Sequence, residues 1–347
     1  MHCVKDRLSF PRAADDESAT FFLMLVPPEK WQLNMTALTA AREQSNWKKA
    51  IKSQKYLLIM IVPVMVWFAI FCYVPLYGWI MAFVNYQPGQ PLLSSEFVGF
   101  QHFNFFLFSS GDFVNIMRNT LSLSGLNIFL SQIMALTFAI LLNEMRVKRF
   151  KKSVQSISFL PYLISWAIVA NVFHALLSVD GGMLNTVLMR LNLIDRPIFF
   201  MANPDYSWFI LTFANVWKSF GYFAVIYLAG IAGIDSALYE AATIDGAGRF
   251  NSIRHIMLPA LLPTIAVLLV ISVGAILNTG FDQYYLLSNP LTSERSDVID
   301  TYIVRNGLER GLLSYSTAVG VFRSVISLIL VSIANAVMKV TSGNSLY

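Results

Sequence analysis

The sequence predicts an all-α, polytopic membrane protein with six transmembrane helices and both termini in the cytoplasm. Three observations carry this. Of 347 residues, 56% are hydrophobic and only 13% are charged, with a mean hydropathy of +0.58; a soluble domain carries roughly 25% charged residues. Six apolar runs are each long enough for a helix to cross a bilayer, which takes about 20 residues. Finally, the basic residues cluster at the ends of alternate runs, as they do in cytoplasmic loops.

The spans are read at 56–84, 119–142, 154–177, 206–234, 260–277 and 315–337. The first exceeds the minimum length, and Pro63 and Pro75 within it predict a kink or a tilt. Arg42, Lys48, Lys49, Lys52 and Lys55 precede span 1. Arg146, Lys148, Arg149, Lys151 and Lys152 separate spans 2 and 3, Arg249 and Arg254 separate spans 4 and 5, and Lys339 follows span 6. The three intervening loops are longer and show no such excess. All basic-rich segments therefore fall on one side, the cytoplasmic one. The domain reading is a tail at 1–55, a membrane domain at 56–340 with a polar cytoplasmic loop at 235–259, and a short tail at 341–347.

The net charge of +5 does not indicate nucleic-acid binding, because it is spread over span ends. Cys3 and Cys72 predict no structural disulfide, and the four histidines show no metal-ligand spacing. Asp15, Asp16 and Glu17 stand where a signal peptide would be basic. From Met35 the chain reads as an ordinary basic tail, so Met35 is the expected native start and residues 1–34 an extension. An intact mass that included residues 1–34 would refute this.

The loop between spans 4 and 5 is the most informative segment. Asp235 and Ser236 can cap a helix beginning near Ala237. Gly246 and Gly248 interrupt it, and a second short helix is expected over 250–257, with Pro259 and Pro263 in the first turns of span 5. Glu240 offers an anchor charge, Ala241 and Ala242 allow close approach to a partner surface, and Asp245 leads into the turn at Gly246. Such a helix, held at both ends by spans, would act as a lever. The alternative is an ordinary amphipathic loop with Glu240 merely solvated. The full pattern is Glu-Ala-Ala, three residues, Gly, nine residues, then Ile256-Met257-Leu258-Pro259, and chance rarely supplies it.

On this loop the chain resembles permease subunits of carbohydrate-importing ABC transporters of the maltose type. It resembles most the branch that takes up oligosaccharides from complex polysaccharides, alginate importers included. Further matches are Tyr73-Val74-Pro75-Leu76-Tyr77-Gly78, Asn143-Glu144, Phe159-Leu160-Pro161, Asp180-Gly181-Gly182 and the run from Ser296 to Tyr302. The resemblance implies a multi-pass protein of a bacterial cytoplasmic (inner) membrane. It implies a second, usually different permease subunit, two ATPase subunits and an extracytoplasmic solute-binding protein. Glu240, Ala241, Ala242, Asp245 and Gly246 would be the ATPase-coupling residues, and 183–193 an outer helix near the binding protein. No cofactor is expected in this chain. ATP and Mg belong to the ATPase subunits, and no Gly-Lys pair of a phosphate-binding loop occurs here.

Polar side chains within spans mark candidate pathways, and sugars are held by hydrogen bonds and ring stacking. The main candidates are Asn215, Lys218 and Tyr222 in span 4 and Asn278, Asp282, Gln283 and Tyr284 after span 5. Asn127, Ser131, Gln132, Asn171, His174, Trp217 and Tyr285 also qualify. Against this, such residues also join neighbouring helices or mark the interface. Lys218 would meet an acidic sugar such as a uronate, snorkel, or pair with an acid of a partner subunit, and Arg323 raises the same question. The rivals are an ion-coupled secondary transporter, for which repeats and intramembrane acids are missing, an exporter subunit or scaffold, and an intramembrane enzyme without a catalytic constellation.

Overall fold

The computed structural model describes residues 54–342. The expected start at Met35, the extension at 1–34 and most of the basic tail lie outside them. The chain divides into two units, Met1–Leu76 and Tyr77–Tyr347. The helical run α1 (Lys55–Phe83) crosses that division and covers span 1. Pro63 sits inside its first α-helical segment, and a wide π-turn at Ala69–Tyr73 takes up the missing hydrogen bonds before Pro75.

In the second unit, a two-stranded antiparallel ribbon, β1 (Val84–Asn85) with β2 (Glu96–Phe97), is a small departure from the all-α expectation. The short α2 (Gln101–Asn104) follows, then α3 (Phe113–Glu144), which is span 2. Span 4 is α7 (Pro204–Ala232). Asn203 Oδ1 accepts from Asp205 N at 3.0 Å, Pro204 occupies the first turn and Gly233 ends the helix. Helices α3 and α7 pack along each other. Ala135, Ala139, Ala214 and Ala224 are fully or almost fully buried there, small side chains that let two membrane helices approach closely.

Span 3 departs from the expected single helix. It is broken into α4 (Lys148–Leu163) and α5 (Trp166–Leu177), which meet at 100°. Pro161 near the end of α4 lacks an N–H, and Ile164 and Ser165 are extended. Ser165 then caps α5, its Oγ accepting from Ile168 N at 3.4 Å. Among the described residues, five helices are long and apolar enough to cross a membrane, or six spans if the bent pair counts as one. After α5 comes α6 (Met183–Arg190), within the expected outer helix.

The loop after α7 forms α8 (Ser236–Ile244). The expected second short helix is not separate. It is the beginning of α9 (Arg249–Gly274), which continues into span 5. A π-turn at Ile253–Met257 precedes Pro259, and its wider hydrogen-bond pattern lets the helix run on into the proline. The segment after span 5, expected as a loop, contains α10 (Phe281–Leu287), α11 (Ser293–Ser296) and α12 (Ile299–Val304). These tuck Tyr284, Val298, Ile299 and Tyr302 into the core. Span 6 is α13 (Leu313–Ser342).

Candidate functional site

Spans 2, 4 and 5 and the end of α4 enclose a cavity of about 300 Å³. Asn127, Ser131 and Gln132 reach it from α3, Asn215, Ser219 and Tyr222 from α7, and Asn278 and Thr279 from the segment after α9. Tyr162 joins from α4. No side chain of this lining is charged. Ser131 Oγ lies 3.1 Å from Ser219 Oγ, and Gln132 Oε1 accepts from Tyr227 Oη at 2.6 Å. Ser124 Oγ and Asn127 Oδ1, on two lining residues, have no hydrogen-bond partner among the described residues. Buried orphans of this kind cost about 1–3 kcal/mol each.

The aromatic element of the wall is a pair. Tyr162 and Tyr222 stack with ring centroids 4.3 Å apart and planes 12° from parallel. Sequence reasoning singled out Tyr222 and stopped one residue short of Tyr162, at Pro161. The signal was a tyrosine directly after a proline that ends a helix.

Lys218 does not reach the cavity. It is 8% exposed, and its Nζ donates to the carbonyl oxygens of Pro161 at 3.0 Å and Tyr162 at 2.9 Å, and to that of Ile164. The rings of Tyr162 and Trp166 lie 5.8 and 5.5 Å from it. Inserting a lysine at mid-membrane costs about 2.5–3.5 kcal/mol, and three hydrogen bonds from a charged donor, at about 1.5–3 kcal/mol each, offset that. Among the described residues, its acceptors are therefore backbone carbonyls and not carboxylates.

Other predicted pathway residues are also spent on structure. Gln283 accepts from Asn215 Nδ2 at 2.9 Å and donates to Leu211 O at 2.7 Å. Tyr284 Oη, fully buried, accepts from Asn127 Nδ2 at 3.0 Å. These bonds clamp α10 to spans 2 and 4 behind the cavity. Asp282 is exposed and outside the lining. Trp217 packs on Phe173, His174 Nε2 is 3.1 Å from Leu286 O, Tyr285 stacks on Phe281, and Asn171 is exposed. Arg323 is paired with Asp300, whose other oxygen accepts from Thr279 Oγ1 at 3.1 Å.

The second candidate site is the loop at α8. Asp235 Oδ1 caps the helix, accepting from Ala237 N at 2.9 Å. At the other end Gly246 has φ +74°. Ala247 N donates to Ala242 O at 2.8 Å and Gly246 N to Thr243 O at 3.1 Å, the paired bonds of a glycine-terminated helix. Glu240, Ala241 and Asp245 are exposed. So are three apolar side chains, Leu238 at 51%, Ile244 at 86% and Phe250 at 72%. The loop is tied to span 2 as well as to spans 4 and 5, since Arg249 Nε lies 4.0 Å from Glu144 Oε2 at the end of α3. Burial first, and the Glu144 carboxylate second, push the Tyr239 phenol above its ordinary value.

Comparison with known proteins adds the following. Residues 135–341 match the family described as "Binding-protein-dependent transport system inner membrane component". Protein LplB of Bacillus subtilis (strain 168) is 39% identical over 302 residues, covering 87% of this chain and 94% of that protein. The polygalacturonan/rhamnogalacturonan transport system permease protein YteP of the same organism is 40% identical over 294 residues, covering 85% of this chain and 91% of that one. Among solved structures, a bacterial ABC transporter involved in the import of the acidic polysaccharide alginate aligns with a TM-score of 0.78 and 40% identity. The alignment covers 85% of this chain and 99% of that one. The bacterial alginate ABC transporter in complex with an alginate pentasaccharide-bound periplasmic protein aligns with the same TM-score at 39% identity, covering 86% and 99%.

Proposed function

The chain belongs to the family of inner membrane components of binding-protein-dependent transport systems, and from that premise we propose that it is one permease subunit of an ATP-driven importer of oligosaccharides derived from an acidic polysaccharide. The similar proteins that act in transport of polygalacturonan and rhamnogalacturonan and in import of alginate support the substrate class. In this reading a second permease supplies the other half of the channel, a periplasmic binding protein delivers the sugar, and two ATPase subunits drive the cycle. In this reading both termini and the α8 loop face the cytoplasm of a bacterial cell, an orientation supported by the basic clusters.

The mechanism is alternating access. The sugar occupies the cavity between spans 2, 4 and 5, with Asn127, Asn215 and Asn278 offering hydrogen bonds and the Tyr162–Tyr222 pair a ring face. ATP binding closes the ATPase pair and moves α8, which is anchored to spans 2, 4 and 5, and the cavity changes the side it faces.

The observation that carries this reading is the α8 loop. It presents Glu240 and the exposed Leu238 and Ile244 on one short, capped helix, with Phe250 exposed beside it at the start of α9. Exposed apolar side chains beside an anchoring charge are the makings of a protein interface. Affinity purification of the tagged protein from its membrane, wild type beside Glu240→Ala and Gly246→Pro, tests it. Wild type brings down an ATPase and a second permease, and the loop variants lose the ATPase. Wild type recovered alone, or an ATPase retained by both variants, overturns the coupling assignment.

A further inference from the structure

We infer that Lys218 is a positioning residue: it fixes the break in span 3 and, through that break, sets Tyr162 against Tyr222 on the cavity wall. The inference rests on the transport reading only for what the cavity does.

The argument begins with the carbonyls at the end of α4. The chain turns out of the helix at Ile164, with φ −82° and ψ 142°, before another helical turn can supply N–H donors. Pro161 O receives only a long bond from Ile164 N, at 3.3 Å. Backbone carbonyls at membrane depth need a partner within the protein, and the C-terminal end of a helix favours a cation. An ammonium has three donors and no acceptor, and here three carbonyls take it. The two ring faces beside it suit a cation that has left water. With three donors engaged, nothing is left for a sugar carboxylate.

The route to the cavity runs through one residue. Tyr162 gives its carbonyl to Lys218 and its ring to Tyr222. Releasing the carbonyl frees the backbone that aims the ring. Gly221, three residues after Lys218 on α7, lets α4 lie against this same stretch, so the lysine's short reach suffices.

The test uses the complete importer, with its binding protein, in proteoliposomes, and trigalacturonate as the transported probe. Lys218→Met and Tyr162→Ala each slow uptake by up to roughly tenfold, the rate equivalent of losing an aromatic pair that contributes about 0.5–1.5 kcal/mol. The double variant is no slower than Tyr162→Ala, because both changes act through one ring. Lys218→Arg recovers most of the rate. Additive slowing in the double variant overturns the inference. A second arm needs no sugar. Spin labels at Ser156→Cys and Val172→Cys, in a Cys3→Ser/Cys72→Ser background, report the distance across the break. Wild type and Lys218→Arg give one narrow distribution, and Lys218→Met a broad or shifted one. An unchanged distribution in Lys218→Met also overturns the inference. If the distance responds while Tyr162→Ala leaves uptake unaltered, the hold of Lys218 on the break stands and the role given to the cavity falls.

Discussion

Gly221 of α7 faces the backbone of Ser158 in α4 so closely that a Cβ there would lie 2.0 Å from the Ser158 carbonyl oxygen and 2.5 Å from its carbon. The neighbour is main chain, so no side-chain rotation relieves the clash. Gly221→Ala therefore separates α4 from α7 at a cost of about 1–3 kcal/mol or more. The expected outcome is a clear fall in the thermal midpoint of the detergent-purified assembly, followed by fluorescence-detected size exclusion. An unshifted midpoint contradicts this contact.

Gly246, at φ +74° with no atom within 4 Å of an added Cβ, tests backbone conformation apart from space. A β-branched residue in the left-handed region costs about 1–2 kcal/mol, while asparagine visits that region readily. Gly246→Val is expected to abolish stimulation of ATP hydrolysis by the sugar-loaded binding protein, and Gly246→Asn to keep most of it. Equal activities for the two variants count against a role for this turn in coupling.

At the cavity, the Tyr162–Tyr222 stack predicts a graded response. An aromatic pair contributes about 0.5–1.5 kcal/mol beyond its buried area. Tyr222→Phe should keep uptake close to wild type, and Tyr222→Leu should lower it by about two- to tenfold, with the ATPase subunits still co-purifying. A Leu variant as active as wild type removes ring stacking from the pathway.

The pair of buried Asp300 and half-buried Arg323 predicts non-additivity. Breaking a fully buried ion pair from one side costs about 3–5 kcal/mol, because the remaining charge is left desolvated, and less where, as at Arg323, part of that charge reaches solvent; an apolar replacement of both partners can be nearly neutral. Asp300→Ala alone is expected to lower the thermal midpoint more than Asp300→Ala with Arg323→Met. The reverse order argues against the pair as a structural tie.

Five of the six expected spans, the loop between spans 4 and 5 and its glycine turn were legible in the sequence as continuous elements, because hydrophobic length and a spaced motif are properties of local segments. The break in span 3 was not. Leu160, Leu163, Ile164 and Trp166 are as apolar as any span, and hydropathy says nothing about a 100° change of direction. Lys218 was recognised as costly where it stands, but its acceptors lie 54–57 residues earlier in the chain. Asn127, Asn215, Tyr222 and Asn278 were picked out by polarity and do line one cavity. Gln283 and Tyr284 were picked out by the same rule and turned out to be fasteners. Polarity identifies side chains that need a partner, and only the three-dimensional arrangement says whether that partner is already present.

The uncharged wall of the cavity has an electrical consequence. Under the proposed function, each carboxylate carried inward moves against an inside-negative membrane voltage, at about 2.3 kcal/mol per charge for every 100 mV. The lining offers dipoles and rings but no fixed countercharge. For a multiply charged oligosaccharide, this subunit thus supplies no countercharge to lower the barrier, and the electrical work of a full cycle falls to counterions travelling with the sugar or to the energy of nucleotide hydrolysis.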